Sequence, residues 1–212
     1  MSIGEQLKKI QELYTDNILS KGKQSTAVGW NTEDCQKLRF AKLFSLIGED
    51  KDFNLLDYGC GYGSAVDFIY KDMNSSLSEY KGYDISDEML KAAAENLKKY
   101  KLNCEFVNSK DIHSSADYVI VSGTFNVKLD TSRKEWEEFI ENTLTSLNNS
   151  AKKGFSFNML TSYVDWQEPH LYYGNPCFWF DFCKRNFSKY VNLIHDYPLW
   201  EWTITVNKGI ND

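Results

Sequence analysis

The chain has 212 residues, of which 42% are hydrophobic and 25% are charged, values typical of one globular domain. Aromatic residues make up 15% of the chain against only 3 prolines, a composition too apolar for a disordered protein. The net charge of −6 disfavours a general nucleic-acid binder, because contacts to phosphates need a basic face.

Two helices are predicted near the N-terminus. Apolar residues recur at helical spacing at Ile3, Leu7, Ile10 and Leu13, with charged residues between them. After a loop over residues 21–30, a second helix is predicted to begin at residue 31 or 32 and to end at Gly48. Acidic residues in its first turn complement the helix dipole.

From residue 53 onward, short apolar strands alternate with helices. The predicted strands are 53–58, 80–84, 104–108, 117–122 and 154–160, and the predicted helices are 64–70, 86–100, 133–147 and 177–187. This alternation predicts a doubly wound, mostly parallel sheet. Two closing strands, 190–195 and 200–207, are joined by a connection too short for a parallel crossover, so we expect them to pair antiparallel.

The cysteines and the apolar segments favour a cytoplasmic protein. The five cysteines include no C-x-x-C pair, so neither a disulfide framework nor a zinc site is expected. No apolar run approaches the roughly 20 residues that span a bilayer. The charged, amphipathic N-terminus lacks the apolar region of a signal peptide. We therefore expect no metal and no membrane partner.

The strongest motif is the glycine loop LLDYGCGYGS at residues 55–64, between a predicted strand and a predicted helix. Gly59 and Gly61 would let the backbone turn and approach a ligand, and Gly63 would let the next helix approach. Asp84 ends the following strand, where a doubly wound fold hydrogen-bonds a ribose. The spacing G-x-G-x-G differs from the G-x-G-x-x-G of a dinucleotide site, and the preceding Asp57 suits a ligand that carries an ammonium group.

LLDYGCGYGS, followed by YKGYDIS-x-x-ML, resembles the S-adenosylmethionine-dependent class I methyltransferases. The resemblance implies an α/β fold with a doubly wound seven-stranded sheet of order 3-2-1-4-5-7-6, mostly parallel with strand 7 antiparallel. It implies one methyltransferase domain, in which residues 1–50 form a helical cap, 51–160 the cofactor-binding core, 161–180 an insertion after strand 5, and 181–212 the last helix and closing hairpin. The implied cofactor is S-adenosylmethionine and the implied product is S-adenosylhomocysteine.

The resemblance also implies, by position, which residues hold the methyl donor. They are Asp57, Gly59, Cys60, Gly61 and Gly63 in the glycine loop, Asp84, Ile85 and Met89 after the second strand, Asp111 and Ile112 after the third, and Ser122 and Gly123 after the fourth. Asp84 would bind the ribose hydroxyls and Ile85 would pack on the adenine. The loop after the third strand is one residue longer than usual, so Lys110 or Ile112 is an alternative to Asp111 for the adenine amine.

The acceptor is expected above the carboxyl ends of the strands, walled by the N-terminal part and by the aromatic stretch 160–179. Aromatic rings with polar handles suit a small polar ligand, and long loops in compact domains are often functional. The substrate-binding candidates are Tyr14, Trp30, Phe125, Tyr172 and Tyr173. The alternative is that these aromatics cover an otherwise exposed end of the sheet.

A hydroxyl acceptor benefits from a general base, for which histidine is the usual choice. The catalytic candidates are His170 in the aromatic stretch, His195 beside Asp196, and Tyr173. A structural role is the alternative for each histidine. A carboxylate or phosphate acceptor would need no base, but a cation such as Arg39, Lys128 or Arg185 to hold it.

The chain also resembles a narrower group of small bacterial methyltransferases, through AVGW, Gln36, Arg39, SGTFN, FDFCKRNFS and HDYPLWEWTITV. That group is associated with the tailoring of surface polysaccharides or small metabolites, so the resemblance implies O- or N-methylation of a small molecule. The first hypothesis is O-methylation of a sugar, a phosphate or a related polysaccharide precursor. SGTF is not the Asn/Asp-Pro-Pro-aromatic motif of enzymes that methylate nucleic-acid bases. Two alternatives stay open, a regulatory protein that binds S-adenosylmethionine without chemistry and an NAD-linked oxidoreductase.

Overall fold

The computed structural model describes residues 3–24, 32–73 and 75–208. Its α-helices are α1 (Ile3–Lys21), α2 (Glu33–Phe44), α3 (Ser64–Phe68), α4 (Asp87–Leu97), α5 (Arg133–Ser150) and α6 (Pro176–Asn186), and α3 continues into a π-helical turn, Ile69–Met73. Its strands are β1 (Asp52–Tyr58), β2 (Ser76–Asp84), β3 (Cys104–Asn108), β4 (Ala116–Val121), β5 (Ala151–Thr161), β6 (Tyr173–Gly174), β7 (Tyr190–Ile194) and β8 (Glu201–Asn207). The predicted α/β class is confirmed.

The sheet has the strand order β3-β2-β1-β4-β5-β8-β7. Strands β1 to β5 pair in parallel, whereas β8 runs antiparallel to both β5 and β7. Because β8 is the predicted antiparallel strand 7, this topology confirms the predicted fold. It differs by one short strand, β6, which pairs in parallel with the end of β5 through Tyr173 and Gly174.

The sheet is covered by helices on both faces, and its side chains alternate between two apolar clusters. In β1, Leu56 belongs to the cluster that includes Trp136 of α5, while the adjacent Leu55 belongs to the cluster that includes Phe40 of α2. Successive residues of a strand point to opposite faces, so one strand supplies both cores. No helix in the described part of the chain is both long and apolar enough to cross a membrane.

Candidate active site

A pocket opens at the carboxyl edge of the sheet, where ligands bind in open α/β folds. The loops after β1 to β4 form its floor, and α1 and α5 cover it. We call it the edge pocket, and its wall consists of Leu7, Ile10, Tyr14, Tyr58, Gly59, Gly61, Tyr83, Asp84, Ile85, Met89, Ser109, Lys110, Ser122, Gly123, Thr124, Trp136 and Phe139. Seven of the predicted donor contacts are therefore on this wall: Gly59, Gly61, Asp84, Ile85, Met89, Ser122 and Gly123.

The glycine loop needs its glycines for conformation and for space. Gly59, Gly61 and Gly63 all have positive φ, at 76°, 53° and 78°. A Cβ at Gly59 would lie 2.1 Å from Oγ1 of Thr124, and a Cβ at Gly63 would lie 3.2 Å from Leu97 of α4. Gly59 thus leaves space for the loop after β4, and Gly63 leaves space for α4. Gly63 is not on the pocket wall, which differs from its prediction as a donor contact.

Asp84 is fixed by backbone groups at the pocket wall. One carboxylate oxygen accepts from the amide of Gly61 and the other from the amide of Ser86, both at 2.9 Å. Burial raises the pKa of Asp84, while the backbone hydrogen bonds oppose that rise. Each carboxylate oxygen can accept more than one hydrogen bond, so both remain able to accept from a ligand's hydroxyls.

Asp57 and Cys60 lie behind the glycine loop. The carboxylate of Asp57 is buried and accepts from the hydroxyl of Tyr80 at 2.9 Å. Burial raises the pKa of Asp57 to about 7, and the charge of Asp84 adds to the rise, although the hydrogen bond from Tyr80 lowers it. The thiol of Cys60 is buried and lies 3.6 Å from the carbonyl of Gly61. Neither side chain is on the pocket wall, so the structure does not support the predicted direct contacts of Asp57 and Cys60 with the methyl donor.

After β3, the pocket wall is formed by Ser109 and Lys110, which corrects the prediction of Asp111 and Ile112. Both of those residues line a neighbouring groove instead. The hydroxyl of Tyr58 donates to the carbonyl of Lys110 at 2.9 Å and fixes the loop at that residue. Asp111 is not on the pocket wall, so the alternative that named Lys110 is the one that the geometry supports.

The turn after β4 lines the pocket and holds an unsatisfied polar atom. The hydroxyl of Ser122 is buried and has no hydrogen-bond partner among the described residues. Buried polar atoms are rarely left unpaired, so this hydroxyl indicates where a polar group of a ligand fits. The side chain of Phe125, in contrast, is fully buried in the core. Its prediction as a substrate contact is wrong, because the chain turns inward after Thr124.

Helix α1 covers the edge pocket. Tyr14 lies beside Asp84, and burial together with that negative charge raises the pKa of Tyr14 to about 12. The hydroxyls of Thr15 and Ser86 are 2.7 Å apart, which joins α1 to the start of α4. Tyr14 is thus a pocket residue, and its role as a substrate contact stays a prediction. Trp30, the other N-terminal candidate, lies outside the described residues.

Part of the predicted aromatic insertion belongs to the core. Tyr172 is 1% exposed, donates to Glu137 at 2.9 Å and accepts from the indole of Trp179 at 3.0 Å. Tyr173 is buried in β6, and its hydroxyl accepts from the amide of Glu168 at 3.2 Å. The prediction that they contact the acceptor is wrong, because both rings are buried, Tyr172 within the apolar cluster of Trp136 and Tyr173 within β6. Tyr173 is likewise excluded as a catalytic group.

The remaining aromatics of this region are exposed at the carboxyl edge. Tyr163, Trp166 and Trp200 are 62%, 67% and 66% exposed, and His195 stacks on Tyr163 with ring centroids 5.9 Å apart. Tyr163 follows β5, His195 follows β7 and Trp200 precedes β8, and the pairing of these strands brings all three to one edge. We call Tyr163, Trp166, His195 and Trp200 the aromatic rim. Trp200 was not among the predicted site residues.

The described residues of the edge-pocket wall include no histidine. His170 is exposed, and only its carbonyl is used, accepting from the amides of Lys128 and Leu129. His195 lies in the aromatic rim. No group of three His, Cys, Asp or Glu side chains in the described ranges is arranged to hold a metal ion.

The three cations considered for an anionic acceptor already have partners. Arg39 donates to Glu201 at 2.6 Å in a buried ion pair. Lys128 donates to backbone carbonyls, at 3.2 Å for the nearer, and Arg185 pairs with Asp181 at 2.6 Å.

Comparison with known proteins identifies the family. Residues 56–152 match the family model described as a methyltransferase domain. "Putative methyltransferase Rv1506c" of Mycobacterium tuberculosis is 45% identical over 166 residues, which cover 77% of this chain and 98% of the relative. The chain belongs to the class I S-adenosylmethionine-dependent methyltransferases. Its predicted family, enzyme class and cofactor are thereby confirmed, and the NAD-linked alternative is set aside.

Solved structures agree on the fold of this methyltransferase. The DhpI–SAH complex superimposes with a TM-score of 0.67 at 12% identity, covering 97% of this chain and 98% of that chain. Magnesium protoporphyrin IX methyltransferase (ChlM) from Synechocystis with bound SAM gives a TM-score of 0.57 at 15% identity, covering 81% of this chain and 78% of that one. At these identities the likeness concerns the fold.

The edge pocket fits S-adenosylmethionine, which supplies a methyl group on a positively charged sulfur. Asp84 would accept from the ribose hydroxyls, and Ile85 and Met89 would provide apolar contact for the adenine. Ser122 and Gly59 line the remaining part of the pocket. The negative charge of Asp84, with Asp57 behind the loop, suits a cationic ligand.

Proposed function

We propose that this methyltransferase O-methylates a small polar molecule, a sugar or sugar phosphate that is a precursor of surface polysaccharide. The observation that carries the proposal is the aromatic rim, which leaves three large rings exposed on the acceptor side of the carboxyl edge. Exposed aromatics in such a group are uncommon on a protein surface without a binding role. The proposal includes a cytoplasmic location and no nucleic-acid partner, in keeping with the net charge of −6.

The chemistry of the rim favours a sugar. The rings of Tyr and Trp offer a flat apolar face with one polar atom at the end, which suits the apolar face and hydroxyl edge of a sugar ring. The rim begins at the end of β5, two strands from the glycine loop, a separation of about 10 Å. A small acceptor held there would extend toward the Ser122–Gly123 turn. A simple phosphate acceptor has less support, because the three candidate cations Arg39, Lys128 and Arg185 already pair with other groups of the protein.

An assay of S-adenosylhomocysteine formation tests the acceptor class. The purified protein would be offered S-adenosylmethionine with nucleotide sugars, free sugars, sugar phosphates, lipids, protein and nucleic acid. We expect product only with sugar-containing acceptors. If product formed only with nucleic acid, protein or lipid, the acceptor proposal would be wrong. No product with any acceptor, despite donor binding, would favour the regulatory alternative.

Substitution in the rim tests where the acceptor binds. We expect Trp166→Ala and Trp200→Ala each to raise the KM for the acceptor by about fivefold, since stacking on an aromatic ring is worth about 1 kcal/mol. The KM for S-adenosylmethionine should be unchanged. The matched control is Tyr70→Ala, which removes a ring stacked on Tyr100 at 4.5 Å, away from the rim. Equal effects of all three substitutions would indicate a loss of folding instead.

The candidate base is His195, because its ring belongs to the aromatic rim. His170 accepts hydrogen bonds from Lys128 and Leu129 through its backbone carbonyl and is not part of the rim. We expect His195→Gln to lower kcat by about 10²-fold or more, the usual contribution of a general base. His170→Gln serves as the control and should leave kcat unchanged. The reverse pattern would return the role to His170.

A further inference from the structure

A chain of buried polar contacts links helix α2 to the turn after β4. The Nε of Arg39 donates to Oε2 of Glu201 at 2.6 Å, and Nδ2 of Asn158 donates to the same oxygen at 2.7 Å. The Oδ1 of Asn158 then accepts from the amide of Gly123 at 2.8 Å. Arg39, Glu201 and Asn158 are all buried, and Gly123 lies on the wall of the edge pocket.

The order of these contacts fixes the direction of the Asn158 amide. A carboxylate can only accept, so Glu201 must face the NH₂ group of Asn158. The carbonyl oxygen of Asn158 therefore points toward Gly123. Gly123 has a φ of 73°, and the hydrogen bond to its amide holds the turn in that left-handed conformation. The neighbouring Ser122, whose hydroxyl is buried and unpaired, also lines the pocket.

The same face of α2 also holds the glycine loop. Gln36, three residues before Arg39, donates to the hydroxyl of Ser64 at 3.1 Å and accepts from the hydroxyl of Tyr62 at 3.3 Å. One helix face thus contacts the loop after β1 directly and reaches the turn after β4 through Glu201 and Asn158. Helix α2 thereby connects two segments that form the edge pocket.

We propose that Arg39, Glu201 and Asn158 are positioning residues, which set the Ser122–Gly123 turn for the methyl donor without touching it. None of the three side chains belongs to the described wall of the edge pocket. Their effect reaches the donor through the backbone amide of Gly123. The donor's affinity therefore depends on a buried ion pair that lies outside the pocket, between α2 and the start of β8.

Calorimetric titration of the full chain with S-adenosylmethionine and S-adenosylhomocysteine tests this role. Asn158→Ala removes the acceptor for Gly123, and the double change Arg39→Met/Glu201→Leu removes the group that orients Asn158. A hydrophobic replacement of both ion-pair partners usually preserves folding. We expect each variant to weaken binding of both ligands by about tenfold, the effect of one lost buried hydrogen bond. Combining the two should cause no further loss, because they break the same chain of contacts.

Hydrogen exchange provides a second readout that a merely structural role would not move. We expect the Gly123 amide to exchange slowly in the wild-type protein and faster in both variants, with core amides of β1 unchanged. The matched control is Lys42→Met/Asp196→Leu, which removes an exposed ion pair of 2.8 Å between α2 and the β7–β8 connection. That variant should bind both ligands as the wild type does.

Two results would overturn the proposal. The first is a folded Asn158→Ala protein, or a folded double variant, that binds both ligands within about twofold of the wild type. The second is an equal loss of affinity in the Lys42/Asp196 control, which would indicate a general disturbance of α2. Should either variant fail to fold, Arg39→Lys replaces it, because lysine retains the charge but places its nitrogen elsewhere. We expect this variant also to weaken binding of both ligands and to speed hydrogen exchange of the Gly123 amide.

Discussion

Gly59 tolerates no side chain for two separate reasons. Its φ is 76°, and an added Cβ would lie 2.1 Å from Oγ1 of Thr124, a hydroxyl that donates to the carbonyl of Tyr58 at 3.1 Å. We expect Gly59→Ala to push the loop after β4 away and to lower the affinity for S-adenosylmethionine by more than about tenfold, since each lost polar contact in the pocket costs about 1 kcal/mol or more. Titration calorimetry measures this loss.

Gly48→Ala separates the conformational cost from the clash. Gly48 also has a positive φ, 62°, but a Cβ there would meet no atom within 4 Å. We expect this control to lower the free energy of unfolding by about 1–2 kcal/mol and to leave the donor's affinity unchanged. If both alanine variants bound the donor equally well, the close approach of Thr124 would have no role in the pocket.

Asp57 should make stability and donor binding depend on pH in opposite directions. Its pKa in the folded protein is raised from 3.8 to about 7, mainly by burial. Between these values the folded state holds a proton that the unfolded state has released, so stability falls as pH rises through this range, by at most about 1.4 kcal/mol per pH unit. The charged carboxylate favours a cationic ligand, so affinity for S-adenosylmethionine should rise from pH 6 to pH 8.

Two variants check the assignment to Asp57. Asp57→Asn should remove this pH dependence from both thermal unfolding and donor binding. Tyr80→Phe removes the hydrogen bond that lowers the pKa of Asp57, so the rise in affinity should move to higher pH. A wild-type profile that persists in Asp57→Asn would assign the titration to another group.

At the scale of elements, periodicity and glycine spacing predict most of the fold. The sequence predicted β3 at its observed bounds and the start of α2 at Thr32, although α2 ends at Phe44 and not at Gly48. The short closing connection predicted the antiparallel pairing of β7 with β8. The two-residue strand β6 has too few residues to show a period. Its absence from the prediction is why Tyr172 and Trp179, which are core residues, were interpreted as a wall of the acceptor site.

Long-range polar contacts were not predictable from one sequence. Arg39 and Glu201 are far apart in the chain, and Asn158 is separated from both, so no local spacing connects them. Burial of a charged residue depends on the packing of whole elements rather than on its neighbours in sequence. The replacement of Asp111 by Lys110 on the pocket wall was one of the alternatives that the sequence left open, since the sequence alone does not give the path of the loop after β3.

Helix α1 should be stabilised by ligand binding more than other helices. Its residues Leu7, Ile10 and Tyr14 form part of the edge pocket, so a bound ligand gains contacts with α1. Local unfolding of α1 would break these contacts, so a bound ligand raises the free energy of that unfolding. We expect S-adenosylhomocysteine to slow amide hydrogen exchange throughout α1, as measured by mass spectrometry. Helix α6, outside the described pocket wall, is the internal control, and equal slowing of both helices would contradict a specific contact.

At the scale of the whole molecule, the aromatic residues have two distinct roles. Trp136, Trp179 and Trp202 are fully buried in the apolar cluster on one face of the sheet, where large rings fill the space between sheet and helices. Tyr163, Trp166 and Trp200 remain exposed at the carboxyl edge. The high aromatic content therefore reflects the core first, and only the rim is available for an acceptor.

Because β1 supplies side chains to both apolar clusters, we expect the chain to unfold in one cooperative transition that the donor shifts as a whole. S-adenosylmethionine at 100 times its Kd should stabilise the folded state by about 2.7 kcal/mol. For a chain of this size that corresponds to a rise in Tm of about 5–10 °C.

NAD at the same concentration is the control and should leave Tm unchanged, since the pocket lacks the G-x-G-x-x-G loop that holds a pyrophosphate. Two separate transitions, of which the donor shifts only one, would divide the chain into independent units, and an equal shift with NAD would contradict the selectivity of the edge pocket.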